Sequence, residues 1–348
     1  MFKRIFLSFT LLFSALTRAE YLRNIHNEFT EWHKKFDIVF KGAHEYEKML
    51  ARWIENDLFI IETNARNLSY SLGHNRFSGM NIGEFREYIR QFPFLESKEV
   101  TPLLFKTPTN PGYKLPTSVN WVEVGAVTPV KDQGQCGSCW SFSTTGALEG
   151  AYYNVHGKLQ SFSEQQLVDC DNLRHGGLDH GCNGGLMDNA FAWIGKNGGL
   201  CLETAYPYVS GETTSSGDCK ETCDPVADSM VVTFVDVEPN SDSAMMAAIA
   251  KQPVSIAIEA DQREFQLYKS GVFTGECGAK LDHGVLVVGY GNAGSDGDYY
   301  LVKNSWGLSW GDGGYIYLGR GTDPKTGEPY NKGAGQCGIL AQASFPVL

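Results

Sequence analysis

The segment Gln133-Gly134-Gln135-Cys136-Gly137-Ser138-Cys139-Trp140 decides how the rest of this chain is read. A glycine-rich turn gives way to Cys139, Trp140, Phe142, Ala147 and Leu148, a spacing that predicts a helix from Ser138 to about Gly150. A cysteine that opens a helix meets unpaired backbone N–H groups and the positive end of the dipole, both of which favour its thiolate. Beside an imidazolium, such a thiol drops several units below ~8.5. Gln133 lies in the preceding turn, where its amide and the Cys139 N–H would together bind an oxyanion. Cys136-x-x-Cys139 also fits a redox pair or half of a zinc site. A redox pair should follow a strand of a βαβ unit, which is not evident, and the second zinc pair would have to be Cys219-x-x-x-Cys223. No metal and no cofactor are expected.

The redox compartment supports a free Cys139. Lys3 and Arg4 precede an apolar run from Ile5 to Leu16, and Thr17-Arg18-Ala19 supplies a cleavage site, so residues 1–19 read as a secretory signal. The run is shorter than the ~20 residues that span a bilayer. In a secreted chain cysteines pair, and nine of them leave one over. A net charge of −11 with no basic stripe argues against a nucleic-acid partner. No membrane partner is expected either, and the protein should be a monomer.

The 348 residues suit about two domains, and their character changes along the chain. Residues 20–114 hold no cysteine and balance 13 acidic against 13 basic side chains, whereas residues 115–348 hold all nine cysteines with 27 acidic against 13 basic. Glu45, Trp53, Asn56, Ile60 and Asn64 share one face of a long helix. Pro102, Pro108, Pro111, Gly112 and Pro116 mark an extended linker. A prosegment (20–114) joined to an enzyme body (115–348) is the expectation. Within the body, Glu164–Val168 and Leu186–Ile194 add helical stretches. Beyond about residue 226, Met230–Val237, Val254–Ile258, Val285–Tyr290, Tyr299–Lys303 and Tyr315–Leu318 read as strands. The fold class is therefore α+β: a helical lobe (about 115–225) and a β-barrel-like lobe (about 226–340) flanking a cleft, where substrates bind.

Two further segments carry chemistry. Leu281-Asp282-His283-Gly284-Val285 sets a histidine at the entry to an apolar strand, where a satisfied core histidine is the plainer reading. Lys303-Asn304-Ser305-Trp306-Gly307 then supplies an amide to orient that imidazole and an indole to shield the contact. Together with Gln133-x-x-Cys136-Gly137-Ser138-Cys139-Trp140, these segments resemble papain-like cysteine proteases in their order. The resemblance implies a two-lobe fold with Cys139 as nucleophile, His283 as acid/base, Asn304 as orienter and Gln133 as oxyanion donor. Acyl transfer through a thioester would follow. It also implies Cys136–Cys182, Cys170–Cys219 and Cys277–Cys337 bridges, leaving Cys201 and Cys223 for a fourth, with exchange of Cys219 and Cys223 open. Gly184 and Gly185 would admit an extended substrate, and Leu186, Met187, Ala257 and Leu281 would wall its apolar pocket. Gln342 would stand at the pocket floor and favour Leu or Phe, while Asp282 and Trp306 complete the substrate-binding set.

Glu45, Trp53, Asn56, Ile60 and Asn64 resemble the helix motif of cathepsin L-like prosegments, which lie reversed along the cleft. Met49 replaces the usual arginine and Arg52 a branched aliphatic. Gly73, Asn75 and Phe77 resemble the next motif, but Gly79 replaces its aspartate. Protonation of His26, His33, His44, His74 and nearby carboxylates is expected to weaken docking. The 171–181 loop carries His175 and His180 and reads as a solvated surface loop, so an endopeptidase is expected. Asn67-Leu68-Ser69 is a glycosylation sequon. Partners are polypeptide substrates, the chain's own prosegment and cystatin-like inhibitors, and the setting is the secretory pathway, lysosome, vacuole or extracellular space. A silent homologue that binds or stores is the competing reading.

Overall fold

A computed structural model describes residues 15–89, 103–110, 112–220 and 223–348. Residues 1–14 of the signal reading, and Pro102 and Pro111 of the linker, fall outside these. Prosegment helices α1 (Ala15–Lys35) and α2 (Ala43–Asn64) cross on an aromatic cluster of Phe29, Trp32 and Trp53. On α2 the expected stripe buries Trp53, Asn56 and Ile60, while Asn64 pairs its amide with the backbone of Leu72 in β1 (Tyr70–Leu72). Helix α3 (Ile82–Ile89) follows.

The expected linker is extended but not idle. Its residues Leu103–Phe105 form β2, parallel to β4 (Thr233–Val237). The body begins with β3 (Val119–Asn120). Its helices α4 (Cys139–His156), α5 (Glu164–Cys170) and α6 (Met187–Asn197) fall where the apolar spacing puts them. Trp140, Leu148, Phe162, Leu167, Phe191 and Ile194 form their shared core.

The remaining strands are β5 (Val254–Ile258), β6 (Tyr268–Phe273), β7 (His283–Asn292), β8 (Asp298–Lys303), β9 (Tyr315–Gly319) and β10 (Ala343–Val347). The sheet runs β1-β6-β9-β8-β7-β5-β10-β4-β2, with β3 added on β7. Both of its ends are thus prosegment strands. Close approach of β1 depends on Gly271 (φ 84), where an added Cβ would meet the Ser69 carbonyl at 2.4 Å. The sheet core of Ile258, Phe265, Phe273 and Trp306 also takes in Phe77 and Phe85 of the prosegment. Body and prosegment share one hydrophobic interior, whose burial contributes about 25 cal/mol per Å² of apolar surface.

Four disulfides join Cys136–Cys182, Cys170–Cys219, Cys201–Cys223 and Cys277–Cys337, which settles the open exchange. Among the described residues the free cysteine is Cys139.

Candidate active site

Cys139 is the first residue of α4, as its place before the apolar run requires. His283 opens β7, which pairs with β5 so that His283 faces Ile258 across the ladder. Asn304 lies just past the end of β8, and its N–H is held by the Gly314 carbonyl at 3.0 Å. The three groups meet at the seam between the lobes. The Gly284 N–H donates to the Cys139 sulfur at 3.4 Å, and His283 Nε2 bonds Asn304 Oδ1 at 2.8 Å. That bond consumes Nε2 and leaves Nδ1 for the thiol. Trp306 is stacked on the imidazole, with centroids 4.6 Å apart, and covers the His–Asn contact.

Gln133 is buried behind the nucleophile. Its Nε2 donates to the Cys136 carbonyl at 3.0 Å, and its Oε1 accepts from Ser305 Oγ at 2.7 Å. Both bonds fix the plane of the amide and leave its second N–H available. Ser305, overlooked in the sequence, also donates its N–H to Asn304 Oδ1 at 2.7 Å and so ties the oxyanion donor to the orienter. Its position beside Asn304 was the available signal.

The charge state differs from the sequence expectation. Burial pushes the Cys139 thiol up to about 11, outweighing the N–H groups of Gly284, Trp140 and Cys139 itself. Burial likewise pushes His283 down to about 4, against the Asn304 bond. In the precursor Cys139 is only partly exposed and His283 is buried, so neither charged form is well solvated. The helix start favours a thiolate, but desolvation exceeds it here.

Behind the site lies an ionic cluster that the sequence did not reveal. Lys131 Nζ reaches Glu164 at 2.5 Å and Glu149 at 3.2 Å, while Lys303 donates to Thr128 at 3.0 Å. Burial lowers Lys303 to about 8; it also opposes the charge on Lys131, but Glu149 and Glu164 hold that ammonium above its ordinary value. A cavity of about 20 Å³, lined by this cluster with Asn304 and Ser305, has room for one water.

Of the pocket residues, Met187 and Ala257 share one apolar cluster with Leu281 packed against it, and Leu186 is buried beside them. Gln342 meets this wall through its carbonyl, which accepts the Ala257 N–H at 3.1 Å. Gly184 and Gly185 are half-buried, and His175 and His180 are exposed, as a surface loop requires. Beneath that loop Asp179 accepts the N–H of Leu186 at 2.9 Å and an Asn189 N–H at 3.0 Å. Its side chain also bonds Asp171, so the pair of buried carboxyls holds a proton between them.

The prosegment seals the site from the Trp306 side. Phe77 and Phe85 sit edge-on to Trp306 at 5.2 and 5.8 Å. Tyr88 donates to the Gly134 carbonyl at 2.7 Å, one residue from Gln133. Prosegment cations face body carboxylates: Arg76 pairs with Asp132, Arg66 with Glu264 at 3.6 Å and Arg86 with Asp261 at 3.7 Å. Arg263 of the body reaches the other way, to Asn56 Oδ1 at 2.9 Å and over the Phe59 ring at 4.3 Å. Two of the four histidines pack within the prosegment, while His26 and His44 are exposed. His74 stacks on Trp53 at 4.0 Å and bonds Asp57 at 3.1 Å, and His33 packs against Phe29 and Phe40. Among the described contacts, His74 and His33 touch prosegment partners, and the charged ties between prosegment and body are the arginine–carboxylate pairs.

The three departures from the prosegment motifs have a structural account. An added Cβ at Gly79 would meet the Met49 side chain at 2.7 Å and Trp32 at 2.8 Å, so the small residue makes room for the apolar one. Arg52 pairs with Glu84, linking α2 to α3.

Residues 115–347 match the papain family cysteine protease model, and residues 29–85 match the cathepsin propeptide inhibitor domain. The chain is 45% identical over 315 residues to the probable cysteine protease RD21B of Arabidopsis thaliana, covering 90% of this chain and 64% of that relative. It is 40% identical to the senescence-specific cysteine protease SAG39 of Oryza sativa subsp. japonica, covering 91% of this chain and 88% of that one. Among solved structures, digestive procathepsin L2 proteinase from Tenebrio molitor larval midgut superposes with a TM-score of 0.81 at 33% identity, covering 93% of this chain and all (100%) of that one.

Proposed function

The chain belongs to the papain family of cysteine proteases, and on that premise we propose that it is the zymogen of an endopeptidase acting through Cys139. One observation carries this reading: the single unpaired thiol opens a helix beside an imidazole whose far nitrogen is fixed by Asn304 and whose face is covered by Trp306. Once the prosegment leaves and water returns, His283 takes the thiol proton and the thiolate attacks the peptide carbonyl. The oxyanion is met by Gln133 Nε2–H and the Cys139 N–H. His283 then protonates the leaving amine, and water hydrolyses the thioester with the same imidazole as base.

Substrates would lie along Gly184 and Gly185 with an apolar side chain against Met187, Ala257 and Leu281. Gln342 supports preference for Leu or Phe over Arg. The precursor is expected to pass through the secretory pathway to a lysosome, vacuole or the outside. Cleavage near Leu115 would free the body, and a glycan on the exposed Asn67 would go with the prosegment. Incubation at acidic pH with a thiol and a fluorogenic Leu- or Phe-containing peptide tests the proposal. Activity that Cys139→Ala abolishes is expected. No activity after demonstrable loss of the prosegment would overturn it in favour of a silent homologue.

A further inference from the structure

The two walls of the cleft differ in charge, and the prosegment already occupies the charged one. Along β5, Ala257 packs with Met187 in the helical-lobe core, whereas Ile258 packs with Trp306 in the sheet core. Side chains alternate across a strand, so the two residues mark opposite sides of the site. Leu281 packs against the Met187 side. The next residue, Asp282, turns its carboxylate to the Ala260 N–H at 2.8 Å, which brings it beside Asp261. Gln262 joins Asp261 to Glu259 through bonds of 2.9 and 2.7 Å. Three carboxyl side chains thus gather one residue from His283, on a body with 27 acidic and 13 basic residues.

A cationic side chain sits on this patch. Arg86 Nε donates to the Asp261 carbonyl at 3.1 Å and stands 3.7 Å from its carboxylate. Arg86 comes from α3, whose Phe85 contacts Trp306. The Asp261 side chain is 1% exposed while Arg86 stands over it, and the guanidinium leaves with the prosegment.

We infer that Asp261 and Asp282 form a subsite for a basic side chain on the leaving-group side of the scissile bond, which Arg86 fills in the precursor. The inference rests on the protease reading, because the Gly184–Met187 wall then holds residues before the scissile bond and the Trp306 side those after it. A lysine or arginine there would meet Asp261 as Arg86 does, while a glutamate would meet like charge.

Mature enzyme is assayed on three quenched peptides that differ in one residue after the scissile bond: Arg, Gln or Glu. The expected kcat/KM for Arg exceeds that for Glu by roughly tenfold at low salt, and the ratio shrinks as salt rises. Asp261→Asn should bring the ratio to within about threefold, and Asp261→Lys should reverse it. An Arg-to-Glu ratio near one in the unmodified enzyme, or a ratio that Asp261→Asn leaves unchanged, overturns the subsite. The salt dependence of the unmodified enzyme decides the matter by itself if a variant fails to fold. Cleavage of the Gln peptide upholds the protease reading whatever the charge ratio, so the two failures are separable.

Discussion

Two seams meet at Cys139, one permanent and one made to part. Beside the lobe–lobe seam, Lys131 binds Glu149 and Glu164 within the helical lobe, Lys303 of the β lobe crosses to Thr128, and Asn304 and Ser305 line the same cavity. The prosegment–body seam has an aromatic centre, Phe77 and Phe85 on Trp306, ringed by arginine–carboxylate pairs in which Arg66 and Arg86 keep 49% and 41% of their side chains exposed. Buried ion pairs resist separation because a lone buried charge costs several kcal/mol; exposed pairs contribute about 0–1 kcal/mol each and respond to salt and acid. The placement of charge therefore separates the seam that must last from the seam that must open.

The largest effect should come from breaking the permanent seam. Lys131→Ala strands Glu149 and Glu164 and should destabilise the precursor by about 3–5 kcal/mol, read as a lower urea midpoint. An equal midpoint would mean that the cluster does not stabilise the fold beside the seam.

The helical lobe carries a second buried device. Burial raises Asp171 to about 6 from 3.8 and holds Asp179, also beside Asp171, well above 3.8. With folded-state values above the unfolded ones, the stabilisation from Asp171 is complete below about 3.8 and is lost as pH rises through about 6, and Asp179 acts in the same direction. Roughly 3 kcal/mol is at stake, at 1.36 kcal/mol per unit. Asp179→Asn supplies a permanent donor to Asp171 and should flatten melting temperature between pH 4 and 7 (roughly the window of the shift), where the unmodified protein declines.

The removable seam should yield less. Arg263→Ala deletes a charged bond to Asn56 and the contact over Phe59, about 2 kcal/mol or a factor of roughly 30 in prosegment retention. Faster activation of the precursor at neutral pH, with the body's own melting unchanged, is the expected result. Replacing Arg66, Arg76 and Arg86 together by Gln should remove the acceleration of activation by added salt, at about 0.2–1 kcal/mol per pair. If replacing the four prosegment histidines does so instead, the carboxylate account fails. Gly79→Ala crowds the Met49 side chain and the buried Trp32 ring and should cost about 1–3 kcal/mol, confined to the prosegment.

Sequence alone singled out Cys139, His283, Asn304 and Gln133, which the fold brings together, because each lies in a short segment whose glycines and tryptophans serve the same local geometry. It placed helices α2, α4, α5 and α6 and most body strands, since these are set by apolar periodicity. It did not show that Leu103–Phe105 would join the sheet or that Tyr70–Leu72 would pair with Tyr268–Phe273. Those pairings need backbone edges that exist only after the body has formed.

Charge followed the same division. A simple count over the sequence shows a strongly acidic body and a balanced prosegment, and cysteine parity in the sequence leaves one thiol over, Cys139. Only the tertiary structure decided which carboxylates face which arginines, that His74 turns inward, and that the thiol is raised rather than lowered while covered. Partners such as Arg86 and Asp261 lie far apart in the chain with no periodicity to link them. Desolvation depends on what is packed above a group, and no local motif encodes that.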